Sequence, residues 1–306
     1  MFVLNPDPYL LPSYLISPFG AKDMHLNNLL PHSDLIDDYC RERFAGRHFY
    51  YVHDGRKAIN IALQQYNLKK EDVVTIFTTS GNFYISGCVT KEIEKFCRWS
   101  RVIEDNTKII FVNHEFGYPF HNLEELAKYN LPIIEDGAHS FFSTDAERKT
   151  GNTGDFVIHS FPKIFPVQIG GLLTSKKSIS ITENDLPNPT QLRYIKNAAS
   201  RGVAQKDTII SKRIENYQYL KQQLCGEMIE ERFELAAGVV PGVFMFRVNN
   251  KNVKLPQLKE YLYAHGIQCS VFYGEESFFI PAHQHLQTED LDYFIQLIHH
   301  FFKTAS

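Results

Sequence analysis

Four side chains of different chemistry follow one another in a short stretch of this chain: the Asp136 carboxylate, the His139 imidazole, the Ser160 hydroxyl and the Lys163 amine. An amine that can form a Schiff base, with a carboxylate to keep a pyridine nitrogen protonated, is what pyridoxal phosphate (PLP) requires of its protein. Lys163 and Asp136 suit those two roles. His139 can donate to the phenolic oxygen of the ring, and the Ser160 hydroxyl can bind the phosphate. Lys163 is followed by Ile164, Phe165 and Pro166, and a dry setting disfavours the ammonium form and favours a nucleophilic amine. Taken singly, an aspartate after a strand is a turn or cap residue and a lysine among apolar residues is a snorkelling surface side chain. The four in this order are a stronger signal than any of them alone.

The elements that must position them are legible as apolar runs. Leu131 to Ile134 reads as a buried strand with Glu135-Asp136 at its carboxyl end, where open α/β sheets place their ligands. DVVTIF and TKIIFVN upstream are two more short apolar strands, and LLTS after Gly170-Gly171 returns beside the lysine loop. Helical or loop segments separate these runs, which favours a parallel sheet with crossovers. Arg56 to Gln65 has the spacing of an amphipathic helix. From Thr208 to Leu224 runs a long helix, and GVFMFRV, PQLKEYLYAHGI, QCSVFY and DLDYFIQLIHHFF beyond it suggest a small α+β domain. The apolar run at 236–246, which holds Pro241 and two glycines, reads as two buried strands around a turn.

The central stretch resembles the DegT/DnrJ/StrS family of PLP-dependent sugar aminotransferases. There a strand ends in an acidic pair, followed by a His or Gln, a Gly-Asp, a Ser-Phe, the Schiff-base lysine and a Gly-Gly. Here these read Glu135-Asp136, His139, Gly154-Asp155, Ser160-Phe161, Lys163 and Gly170-Gly171. Upstream, His114, Gly117 and Pro119 match the family's His-x-x-Gly-x-Pro turn. The resemblance places the amino end of the helix opened by Gly55 at the phosphate and Phe83 where an aromatic ring stacks on the pyridine. It covers most of residues 45–175 and the last thirty or so. It implies an α/β protein of PLP-dependent transferase fold type I, with an arm at 1–20, a large domain with a mostly parallel sheet at 21–177 and a small C-terminal α+β domain at 178–306.

The chain also departs from the family. Where most members carry a phosphate-binding Thr after the glycine, it has Arg56 and Lys57, which either supply positive charge to the phosphate or are surface residues. Two residues separate Ser160 from Lys163, fewer than in the family's commonest form, which puts Ser160 at risk of displacement from the phosphate. The segments between Gly87 and Thr107, Asn197 and Ile209, and Tyr273 and Pro281 are short, and these are regions that serve the sugar and the neighbouring subunit.

Composition excludes several classes. A chain of 306 residues is long enough for a large domain and a smaller one. The net charge of −3 gives no broad basic field, against a nucleic-acid partner. Five cysteines without a CxxC point to reduced thiols and a cytoplasmic protein. The histidines at 283, 285, 299 and 300 lack a partner cluster, so no metal is expected. Four prolines interrupt the apolar amino terminus, which therefore reads as an extended arm, neither a signal peptide nor a membrane span. The resemblance implies a homodimer that moves an amino group, by family habit from glutamate, to a keto sugar carried by a nucleotide, with Lys163 as acid and base. Two alternatives stay open: a PLP enzyme of this fold with another acceptor or an elimination chemistry, and a non-catalytic binding or regulatory protein, against which the retained Lys163 argues.

Overall fold

The structure, a computed structural model, describes residues 13–145 and 150–305. The chain divides into two units, one of residues 19–206 with 237–239, the other of residues 207–236 and 240–306 together with the segment ending at Pro18.

The larger unit holds helices α1 (Ala21–Asn28) and α2 (Leu35–Arg43), strand β1 (His48–Val52), α3 (Gly55–Gln64), β2 (Val73–Thr78), α4 (Gly87–Ile93), β3 (Arg98–Ser100), β4 (Thr107–Asn113), β5 (Ile133–Asp136), β6 (Phe156–Ser160), β7 (Gly171–Ser175) and α5 (Pro189–Ala204). Its seven strands form one sheet in the order β1-β7-β6-β5-β4-β2-β3. β6, β5, β4, β2 and β3 run parallel, β7 is antiparallel to β6, and β1 is antiparallel to β7. This is a mostly parallel α/β sheet, as expected. β2 and β4 are apolar almost throughout because both faces are covered. Ile59, Ala62 and Leu63 of α3 join Ile76, Ile109 and Ile134 in one core cluster, while Ile110, Val112 and Ile133 meet Leu123 and Leu126 in another.

The register brings the functional edge together. Thr78 pairs with Asn113, Asn113 with Asp136, and Ser160 with Gly171, which in turn pairs with Val52. The carboxyl ends of β2, β4, β5, β6 and β1 therefore lie side by side, and the loops that leave them share one edge.

Three features differ from the sequence expectation. The shortened segment after Gly87 retains a three-residue edge strand, β3, too short to carry a periodic signal. The run at 236–246 contributes only one strand, which begins at Val243. Gly238 has a φ of +85°, and a Cβ there would lie 2.7 Å from the Thr144 carbonyl oxygen, so this stretch is a tight glycine turn instead of a strand. The division of units falls after Lys206 and not at 177/178. The reason is α5, which is tied to the start of the larger unit: Asn197 Nδ2 donates to Leu30 O at 3.3 Å, Ser200 Oγ accepts from Ile36 N at 3.1 Å, and Lys196 pairs with Asp37 at 2.7 Å.

The smaller unit comprises α6 (Lys206–Leu224, all but its first residue), β8 (Ile229–Glu231), β9 (Val243–Val248), α7 (Leu255–Ala264), β10 (Ser270–Phe272), β11 (Ser277–Pro281) and α8 (Thr288–Ala305). Its antiparallel sheet has the order β10-β11-β9-β8. Phe244, Phe246 and Phe278 of the sheet and Phe294 of α8 are fully buried. Of the expected amino-terminal arm, residues 1–12 lie outside the described residues. Tyr14 forms a parallel bridge to Ile267, and its ring sits 5.0 Å from that of Phe294.

Candidate active site

Asp136 ends β5, where the register leaves its carboxylate at the shared edge. Its backbone is held on both sides, by His114 N–H donating to Asp136 O at 3.0 Å and Gly137 N–H donating to Ile158 O at 2.8 Å. Oδ1 accepts the Ala138 N–H at 3.0 Å, while Oδ2 accepts no hydrogen bond among the described residues. The residue is nevertheless only 6% exposed. Burial pushes this carboxyl above its ordinary value, opposed by the Ala138 N–H and by the positive charge of Lys163. Oδ2 is thus an acceptor open to a donor at the edge of the sheet.

Lys163 closes a short 3-10 turn, Phe161–Lys163, that follows β6. The turn is rigid for a packing reason. Phe161, Ile164 and Phe165 are fully buried, and the Phe165 ring lies 5.4 Å from Phe141 and 5.6 Å from Phe142. Lys163, like Pro162 beside it, is half-buried. Burial lowers the pKa of its amine, and Cys88 and Asp136 pull the other way. Each of Asp136 and Lys163 thus stabilises the charge of the other.

Gly55 is the first residue of α3, and Asp54 caps the helix with Oδ1 accepting the Lys57 N–H at 2.8 Å. A Cβ on Gly55 would stand 3.3 Å from Ser160 Cβ and 3.8 Å from Ser160 Oγ, so the serine lies against the amino end of the helix despite its two-residue spacing from Lys163. Lys57 Nζ is directed to Asp185 Oδ1 at 2.8 Å. Arg56 is exposed and makes no ion pair among the described residues. Phe83, in the segment between β2 and α4, is 71% exposed. His139 is half-buried, with its ring 5.3 Å from that of Phe116. The structure therefore joins Asp136 with Lys163 and Gly55 with Ser160, turns Lys57 away, and leaves Arg56 and Phe83 open.

The sequence reading gave no role to Glu135, the other half of the acidic pair. Successive side chains of a strand point to opposite faces, so it is turned away from Asp136. It is fully buried, and its two oxygens accept four N–H groups: His114 Nε2 at 2.9 Å and Gly151 at 2.8 Å on Oε2, Thr153 at 2.9 Å and Gly154 at 2.6 Å on Oε1. His114 Nδ1 accepts the Phe120 N–H at 2.9 Å, which leaves the ring proton on Nε2 to be donated. Burial alone would raise the Glu135 carboxyl, but His114 and the Gly154 and Gly151 N–H groups outweigh it and hold it below its ordinary value. Next to Ser160, His159 is buried between Phe44 and Phe141 with Nδ1 2.9 Å from Gly137 O, and burial drives its pKa down to about 3.

This arrangement fits PLP on three observations: the Asp136 oxygen that accepts no hydrogen bond among the described residues, the Lys163 amine whose charge acts on Asp136, and the Gly55–Ser160 cradle that a side chain at position 55 would crowd. No group of three or more His, Cys, Asp or Glu residues that could hold a metal ion occurs among the described residues.

A family model described as "Putative PLP-dependent aminotransferase" matches residues 36–223, more than half of the chain. Among solved structures, the aminotransferase TlmJ from Streptoalloteichus hindustanus superposes with a TM-score of 0.75 at 15% identity, covering 92% of this chain and 94% of TlmJ. A DegT DnrJ EryC1 StrS aminotransferase from Brucella abortus gives a TM-score of 0.68 at 15% identity, over 92% and 93% of the two chains. The GDP-4-keto-6-deoxymannose-3-dehydratase ColD, in a variant with bound GDP-perosamine, gives 0.68 at 14% identity, over 94% and 100%. At these identities the likeness is one of fold, and the fold is that of PLP-dependent transferases of type I. No curated protein matches the sequence.

Proposed function

On the premise that the chain belongs to the family of PLP-dependent aminotransferases, we propose that it moves an amino group from glutamate to a keto sugar carried by a nucleotide. The observation that carries the site assignment is the Asp136 residue, buried, with one oxygen unpartnered and the Lys163 charge acting on it. Asp136 Oδ2 would hold the proton on the pyridine nitrogen, Lys163 Nζ would bind the aldehyde carbon, and His139 would donate to the phenolic oxygen. Ser160, Gly55 and the free N–H groups at the start of α3 would hold the phosphate, Arg56 would add positive charge there, and Phe83 would cover the ring.

When bound, PLP supplies an electron sink for the bond-breaking steps. The chain's own part is proton handling. Lys163 Nζ would take a proton from the α carbon of the amino donor and hold it for return, and a pKa lowered by burial suits an amine to that exchange. Across both halves, one water is consumed as glutamate leaves as its 2-oxo acid and one is released as the acceptor carbonyl becomes an amine, so no water is gained or lost overall.

One solved structure of similar fold, ColD, was solved with GDP-perosamine bound, and this supports the acceptor class. The same comparison favours a second reading, because ColD is a dehydratase and superposes nearly as well as the aminotransferases. A homodimer accompanies either reading. All five cysteines are free, in keeping with a cytoplasmic protein. Among the described residues no helix is long and apolar enough to cross a membrane.

The test is borohydride reduction of the PLP-loaded protein followed by peptide mass analysis, then incubation with glutamate and a panel of nucleotide-linked keto sugars. Reduced cofactor on the Lys163 peptide, loss of trapping on addition of glutamate, and an amino sugar product are expected. A deoxy keto sugar product would establish the dehydratase reading, and an unlabelled Lys163 would overturn both.

A further inference from the structure

We propose that the turn at 115–118 is the positioning device of the cofactor-ring site, with Phe116 setting the His139 ring and Glu115 setting the segment that carries Phe83. The inference rests on the reading of His139 and Phe83 as residues that face the cofactor ring.

Phe116 has φ 53° and ψ 25°, the left-handed region, which a bulky side chain rarely adopts. Such strain persists only where the surroundings impose it, and four bonds do so here. Ser80 N donates to Glu115 Oε2 at 2.6 Å, and Glu115 N donates to Thr79 Oγ1 at 3.1 Å. Thr79 Oγ1 donates to Tyr118 O at 2.7 Å, and Tyr118 N donates to Glu115 O at 2.8 Å. Glu115 is 5% exposed, so its carboxylate is a buried anchor.

The strand-end segment gripped by the turn is gripped again from the sheet edge. Arg101, just beyond β3, donates from Nη1 to Ile76 O at 2.7 Å and from Nη2 to Asn82 O at 2.8 Å and Thr78 Oγ1 at 3.2 Å. Phe83 follows Asn82 directly. The exposed ring thus follows directly on a backbone segment, residues 76–82, that is held from both the turn and the sheet edge, which burial of the ring cannot explain because the ring is not buried.

On the other side of the same turn, the Phe116 ring meets His139 at 5.3 Å and 50°. A purely structural turn would carry Gly or Asn at position 116 and avoid the strain. What only an aromatic residue supplies there is the ring against His139. One strained turn therefore aligns two ring-facing groups that are far apart in sequence.

The test uses Phe116→Gly and Phe116→Tyr in the full chain. The His139 ring resonance is followed by NMR in histidine-labelled apoprotein, assigned by its loss in His139→Asn, alongside apoprotein melting temperature and the PLP dissociation constant. Loss of one aromatic contact corresponds to about a three- to tenfold change in binding. Phe116→Gly is expected to shift the His139 resonance and weaken PLP by that factor without lowering the apoprotein melting temperature, and Phe116→Tyr to restore both. An unmoved resonance with wild-type PLP affinity in Phe116→Gly would overturn the inference. So would a lowered melting temperature as its sole effect, or Phe116→Tyr behaving as Phe116→Gly. The resonance is read without cofactor, so it stays informative even where Lys163 fails to trap PLP and the functional reading itself falls.

Discussion

Glu135→Gln isolates the worth of a buried carboxylate that touches neither end of the proposed chemistry. Each oxygen of Glu135 accepts two N–H groups, and the side chain is fully buried. Glutamine has the same shape, but whichever way its amide turns, the NH2 faces two donors. Two acceptor contacts are lost and two buried N–H groups are stranded, at about 1–3 kcal/mol each. The expected cost is about 4 kcal/mol, or a fall in melting temperature of about 8–16 °C at about 2–4 °C per kcal/mol. Differential scanning calorimetry across pH separates this from a packing defect. The folded-state pKa of Glu135 is depressed, so its contribution is complete above the unfolded carboxyl value of about 4.3 and is lost as pH falls through the lower folded value. The gap between wild type and variant should be full at neutral pH and close below about pH 4. A fall of less than about 2 °C at neutral pH, or a gap that widens on acidification, would refute the four-donor account.

Other changes probe the lysine turn, the chemistry and the smaller unit. Glycine to alanine in a helix ordinarily gains about 1 kcal/mol, but a Cβ at Gly202 of α5 would lie 2.1 Å from Phe165 Cδ1. Gly202→Ala should therefore destabilise by about 1–3 kcal/mol, and an unchanged or raised melting temperature in fluorimetry would contradict the packing assigned to the Phe165 ring. Asp136→Asn should slow the glutamate half reaction by about 10²-fold or more, whereas Ser160→Ala should appear mainly as weaker PLP binding; single-turnover kinetics and cofactor titration separate the two. Arg213, fully buried, donates to Gln284 Oε1 at 2.8 Å and Pro241 O at 3.2 Å, and burial holds its pKa down to about 9. Arg213→Ala leaves a cavity and unpaired acceptors at a cost of about 3–5 kcal/mol, measurable in urea denaturation, and a loss below about 1 kcal/mol would mean that the site collapses around the smaller residue.

Short-range patterns along the chain carried a large part of this fold. Apolar runs marked β2, β4 and β5, helical spacing marked α3, and the order Asp136, His139, Ser160, Lys163 marked the cofactor chemistry, because a strand followed by a chemistry-bearing loop leaves its trace within a few residues. The identity of each residue's neighbours in space came only with the packed fold. Asp136 and Glu135 are adjacent and chemically alike, yet the strand's alternation sends one to the site edge and the other into a clamp on residues 151–154 whose partners lie 16 to 21 positions away. The same holds for α5, whose hydrogen bonds to Leu30 and Ile36 span 164 to 167 positions and place it in the larger unit. It holds for Gly202, a residue with no sequence signal until the Phe165 ring lies against it. Local conformation follows from sterics and apolar spacing along the chain, whereas burial, hydrogen-bond partners and shifted proton affinities arise only when distant segments exclude water from one another.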